Sequence, residues 1–63
     1  MDYFLKFKTE AEAISTLEGY KGNVDVIGEI PDINGWHVNV RGDKDVTLEK
    51  FAIKVATPYR IWA

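Results

Sequence analysis

The stretch Gly35-Trp36-His37-Val38-Asn39-Val40-Arg41 alternates apolar and polar residues at a period of two, and Tyr59-Arg60-Ile61-Trp62-Ala63 repeats the pattern at the end of the chain. Strands with one face on a core and the other toward water read this way. A chain with such segments must build a sheet and lay something across its apolar face. The second segment runs into the last residue without a polar tail, which predicts a structural strand there.

Residues 3–8 predict a first strand, with Tyr3, Leu5 and Phe7 on one side and Phe4, Lys6 and Lys8 on the other. The period then changes. Thr9-Glu10-Ala11-Glu12 reads as a capping box, in which the Thr9 hydroxyl accepts from the Glu12 amide and the Glu12 carboxylate reaches back to the Thr9 amide. Ala11, Ile14 and Leu17, with Ala13 and Tyr20 alongside, form an apolar stripe at helical spacing, so a helix is expected over 10–19, ended by Gly19 or Gly22. Residues 24–30 predict a second strand burying Val24, Val26 and Ile30. Pro31 to Gly35 supplies turn residues, Asn34-Gly35 being the strongest turn dipeptide, and a third strand follows at 36–41 with Trp36, Val38 and Val40 inward. Residues 46–52 fit either one helical turn, with Leu48 and Phe51 three apart, or irregular chain. Short strands at 53–56 and 59–62 complete the set, with Pro58 at an edge or bend.

These faces are satisfied by an α+β fold: a small antiparallel or mixed sheet of about four to five strands with one α-helix on one face. The expected interior is Tyr3, Leu5, Phe7, Ile14, Leu17, Val24, Val26, Trp36, Val38, Val40, Ile53, Val55 and Ile61. The 63 residues make one small domain, 1–63. At this size folding buries only about 60% of the surface the chain exposes when unfolded. There is no cysteine to form a disulfide or a thiolate metal site. Eight aromatic residues (three Phe, three Tyr, two Trp) compensate, each burying roughly 150–250 Å².

Eight basic against ten acidic residues give a net charge of −2, too balanced for a protein that neutralises many phosphates of duplex DNA. No stretch approaches the roughly 20 apolar residues that span a bilayer. Asp2 stands where a secretory signal carries basic charge, and a reducing cytoplasmic setting is expected. The chemistry is sparse. His37 is the only histidine. Ser15 lies mid-helix with nothing to pair it to His37, whereas a hydroxyl nucleophile needs an adjacent base. His37 is therefore read as an exposed sheet residue. Glu10, Glu12 and Glu18 belong to the helix cap and its solvated face, and Asp43 and Asp45 flank a turn with too few oxygens for calcium. No catalytic residue, metal site or cofactor is expected.

The outer face of the sheet is the candidate surface. Alternation places Phe4, Lys6, Ile27, His37, Asn39, Arg41, Arg60 and Trp62 there, with Lys8, Lys54, Asp2, Asp25 and Glu29 around them. Aromatics beside arginine are common anchors of protein interfaces, so a protein partner or a second copy is expected on this face. The alternative is single-stranded nucleic acid, with bases stacked on Phe4 and Trp62 among basic side chains.

Three motifs carry a resemblance. Tyr3-Phe4-Leu5-Lys6-Phe7 at the start, Gly35-Trp36-His37-Val38-Asn39-Val40-Arg41 in the middle and Thr57-Pro58-Tyr59-Arg60-Ile61-Trp62-Ala63 at the end resemble small uncharacterised proteins of tailed bacteriophages and prophages. The Glu12-Ala13 helix fits the same scheme, while the segment between Gly22 and Gly35 is shorter than in those proteins. The resemblance implies a phage origin, residence in the bacterial host cytoplasm or the virion, and binding in assembly or on a host factor. It transfers no catalytic residue.

Overall fold

The computed structural model describes residues 1–54. Their order is strand β1 (Asp2–Phe7), helix α1 (Glu10–Leu17), strand β2 (Asn23–Ile30), strand β3 (Ile33–Arg41) and the short helix α2 (Val46–Glu49). The three strands form an antiparallel sheet in the order β1-β3-β2. β3 is thus central, and β1 and β2 run in the same direction on either side of it. The class is α+β as expected, with three strands and two short helices among the described residues. Among the described residues fewer strands are present than expected. Ala52 makes only an isolated bridge to Leu5, and Ile53 and Lys54 lie in no strand. The strand expected at 59–62, like residues 55–56, lies outside the described residues.

Register assembles the helix side of the sheet. Tyr3 opposes Val40, Leu5 opposes Val38 and Phe7 opposes Trp36 across β1 and β3, and directly opposed residues project on the same side. Tyr3, Leu5, Phe7, Val38 and Val40 join Ala13 of α1 and Leu48 of α2 in one buried cluster, with Leu17, Tyr20, Trp36, Phe51 and Ala52 packed around it. Full burial of each large member contributes roughly 1.5–3 kcal/mol. The Phe7 and Phe51 rings meet at 4.8 Å between centroids.

Helix α1 begins at the Thr9 cap, whose hydroxyl accepts from the Glu12 amide at 3.1 Å. The Glu12 carboxylate accepts instead from the Lys8 amide at 2.8 Å, one residue earlier than the expected box. The helix stops at Leu17, two residues short of the expected end. Its inward residues are Ala13 and Leu17, with Tyr20 packed beside them from the chain that follows, and this turns Ile14 outward (65% exposed).

The β2–β3 hairpin turns at Pro31-Asp32, between the paired Ile30 and Ile33, not at Asn34-Gly35. Gly35 lies inside β3 at φ +113°, where an added Cβ would run into the Phe7 carbonyl oxygen of the neighbouring strand. Glycine stands there because the backbones of β1 and β3 approach too closely for any side chain. Residues 46–52 resolve as a single helical turn capped by Asp45, which accepts from the Thr47 amide at 2.9 Å.

Tyr3 ties α2 to the sheet. Its hydroxyl donates to Glu49 Oε2 at 2.9 Å and accepts from the Asp45 amide at 3.3 Å. Desolvation raises the Tyr3 phenol above its ordinary value of 10.0; the Asp45 amide opposes this and Glu49 adds to it. Tyr20 is raised as well, by desolvation first and then by the charges of Asp45 and Asp43. A phenol whose pKa is higher folded than unfolded contributes stability that is full below pH 10.0 and is lost as pH rises through the folded value. Urea midpoints measured at successive pH values should therefore fall more steeply above this point in the wild type than in a Tyr3→Phe, Tyr20→Phe variant. Parallel declines would show that burial of the two phenols has no energetic consequence.

Candidate functional site

The register gathers most of the sequence-derived surface. Phe4 opposes Asn39, Lys6 opposes His37 and Asp2 opposes Arg41 across β1 and β3, so Phe4, Lys6, His37, Asn39 and Arg41 do share one face. That face is not an open platform. Phe4 is 1% exposed and His37 and Asn39 are both 0%, which corrects their reading as solvent-facing and removes them from reach of a partner. Lys6 and Arg41 remain exposed, Arg41 lying 3.4 Å from Asp2, and Ile27 is half-buried. Arg60 and Trp62 lie outside the described residues. Polar residues at every second position of a strand imply solvent only when the strand has one packed face. Both faces of β3 are covered, and its polar His37 and Asn39 are buried with Val38 and Val40.

A β-bulge accommodates His37. β2 pairs regularly from Asn23 to Val26, and then Gly28 rather than Ile27 opposes His37. Two residues of β2 thus face one of β3, and Gly28 adopts φ +83° to allow it. The Gly28 carbonyl oxygen lies 2.7 Å from His37 Nδ1. A carbonyl only accepts, so Nδ1 carries the hydrogen and the bond sets the tautomer. The ring also packs on Phe4, 5.7 Å between centroids. Nε2 is buried with no hydrogen-bond partner among the described residues. α1 occupies the other face of the sheet, so Ser15 and His37 are separated by the sheet itself. The bulge also upsets the facing predicted for β2: Ile30 is buried, yet outside the helix-side cluster. Strand alternation could not reveal the bulge; the signal available was Gly28 standing inside an apolar strand. Substituting Gly28→Ala places a methyl at ordinary contact distance from Trp36, 3.5 Å, so its cost comes from the left-handed backbone. Urea denaturation should show a loss of about 1–2 kcal/mol, and an unchanged midpoint would contradict the bulge.

The helix side of β2 is the exposed apolar surface. Val24 opposes Val40 and Val26 opposes Val38, so both were expected in the core. They are 45% and 58% exposed, and Ile14 beside them is 65% exposed. α1 packs chiefly over β3 and β1. A groove of about 160 Å³ remains, with Ile14, Val24 and Val26 around it and Leu17, Trp36 and Val38 at its floor.

The two edges of the sheet differ. Along β1, Lys6 donates its amide to the Phe51 carbonyl and the Ile53 amide donates to the Phe4 carbonyl, each at 2.9 Å. Residues 51–53 thereby occupy that edge. Among the described residues no strand pairs with the outer edge of β2. Near β2 lie the exposed carboxylates of Asp25, Glu29 and Glu10, with Lys8 lining the same hollow as the two glutamates. Beyond β1, Lys6, Lys8 and Lys50, with Glu12, surround an open cleft of about 670 Å³ also lined by Phe7 and Phe51, with Lys50 Nζ 5.6 Å from the Phe51 ring centroid.

Comparison with protein-family models, curated proteins and solved structures finds no match. No helix among the described residues is long and apolar enough to cross a membrane.

Proposed function

We propose that this chain is a non-enzymatic binding module of phage or prophage origin that engages a protein partner in the host cytoplasm or the particle. The sequence resemblance supports the origin. The contact surface is the groove between α1 and β2 together with the exposed Ile14, Val24 and Val26. This replaces the face around Phe4, His37 and Asn39, whose side chains are already enclosed. The carrying observation is the grouping of three aliphatic side chains, each close to half exposed or more, beside the half-buried Leu17 and Trp36. Contiguous apolar surface of this kind marks interaction sites more often than scattered single residues do.

A second reading, single-stranded nucleic acid, draws on the lysine cleft over Phe51. With Phe4 enclosed, Phe51 is the described aromatic left beside the basic residues for a base to stack on.

A photo-reactive residue at Val24, irradiated in producing cells, should yield a protein adduct of discrete mass. The same residue at Lys44 should not. Ile14→Asp should abolish the adduct while changing folding stability by less than about 1 kcal/mol, the position being exposed. A nucleic-acid adduct, or none at either position, would contradict the protein-binding reading.

A further inference from the structure

We infer that the partner presents a cationic β-strand, alternating aliphatic residues with lysine or arginine, which adds to the outer edge of β2, where no described strand pairs. The inference rests on the protein-binding reading above and specifies its geometry. In an antiparallel pair every second residue directs its N–H and C=O away from its neighbour. The regular stretch Asn23–Val26 therefore offers backbone groups outward that no described strand takes up. Ordinary guards against strand addition are lysine, proline or cover by another segment. The β1 edge has cover; β2 has no lysine and no internal proline. The added strand would be short, because the bulge at Gly28 interrupts the ladder.

Its side chains follow from the two faces of β2. Residues on the helix side would extend the Ile14, Val24 and Val26 surface and fill the groove, which requires aliphatic groups. Residues on the other side would oppose Asp25. Glu10 and Glu29, both exposed, close one end of the same surface near Trp36, two carboxylates against the single cation of Lys8, and Glu18 stands at the other end of α1. A second copy of this chain fits poorly. Antiparallel pairing of residues 23–27 with themselves centres on Asp25 and sets two carboxylates against each other, and directly opposed like charges destabilise a strand pair. The acidic edge thus discriminates against itself and in favour of a basic strand.

The test uses the whole protein, isotope-labelled, and three synthetic probes. One is a short peptide alternating valine with lysine, the second its glutamate counterpart, and the third the lysine peptide N-methylated at alternate residues to remove edge hydrogen bonds. Titration should give chemical-shift changes centred on Asn23–Val26 with the lysine peptide. Affinity should be lower by about tenfold or more for the N-methylated peptide, with no binding of the glutamate peptide. Charge reversal by Asp25→Lys and Glu29→Lys should exchange the preference for lysine and glutamate peptides. Equal binding of lysine and glutamate peptides would overturn the charge assignment and leave the protein-binding reading standing. Equal binding of the N-methylated peptide would overturn strand addition. Absence of binding by all probes would overturn the inference, while the adduct at Val24 separately decides the broader reading.

Discussion

From His37 to Val40 the chain exposes almost nothing: each of these four consecutive residues is at 1% or less. Both faces of β3 are packed, and both its edges are hydrogen-bonded, to β1 and to β2. The rest of the architecture answers to this strand. Flanking it by antiparallel partners makes β1 and β2 run in the same direction, so the connection between them must cross the sheet, and α1 makes that crossing. The helix settles over β1 and β3, where Leu5, Phe7, Val38 and Ala13 meet. It leaves a groove between itself and β2. The exposed Val24 and Val26 follow from where a short helix of eight residues can lie.

The second face of β3 explains the polar residues there. An imidazole taken out of water needs a partner, since an unpaired buried polar group costs roughly 1–3 kcal/mol. Gly28 provides one carbonyl by leaving the regular ladder. The bulge therefore has a use: it aims a backbone acceptor at His37 Nδ1 and ends regular pairing along β2. Regular pairing survives at Asn23–Val26, beside the exposed apolar surface and among carboxylates. The β1 edge, by contrast, is occupied by residues 51–53, beside a cleft lined by Lys6, Lys8, Lys50 and Glu12. Among the described residues the sheet thus has one covered edge and one edge paired with no strand.

Local chemistry was legible in the amino-acid order. Thr9 marked the helix start, alternation marked the strands, and Tyr3, Leu5, Phe7, Val38 and Val40 were correctly placed in the core. The grouping of Phe4, Lys6, His37, Asn39 and Arg41 on one face was legible too. Their burial was not, because alternation records which residues share a side and contains no information about what covers it. Helical spacing fits a stripe through Ala11, Ile14 and Leu17 as well as one through Ala13 and Leu17, and only the tertiary placement of α1 selects the second. Pro31-Asp32 and Asn34-Gly35 are both acceptable turns; the close approach of the Phe7 carbonyl to Gly35 keeps the latter within the strand. The open edge of β2 depends on strand order, which no local pattern contains.

Enclosure of β3 on both sides is tested most directly by nuclear magnetic resonance with hydrogen exchange. The slowest amides should lie within His37–Val40, and the His37 ring should show a protected Nδ1–H with the chemical-shift signature of a hydrogen bond. The outward amides of Asn23–Val26 should exchange far faster. Rapid exchange at the His37 ring, with protection in β2 equal to that of β3, would contradict the central placement of β3 and the surfaces derived from it.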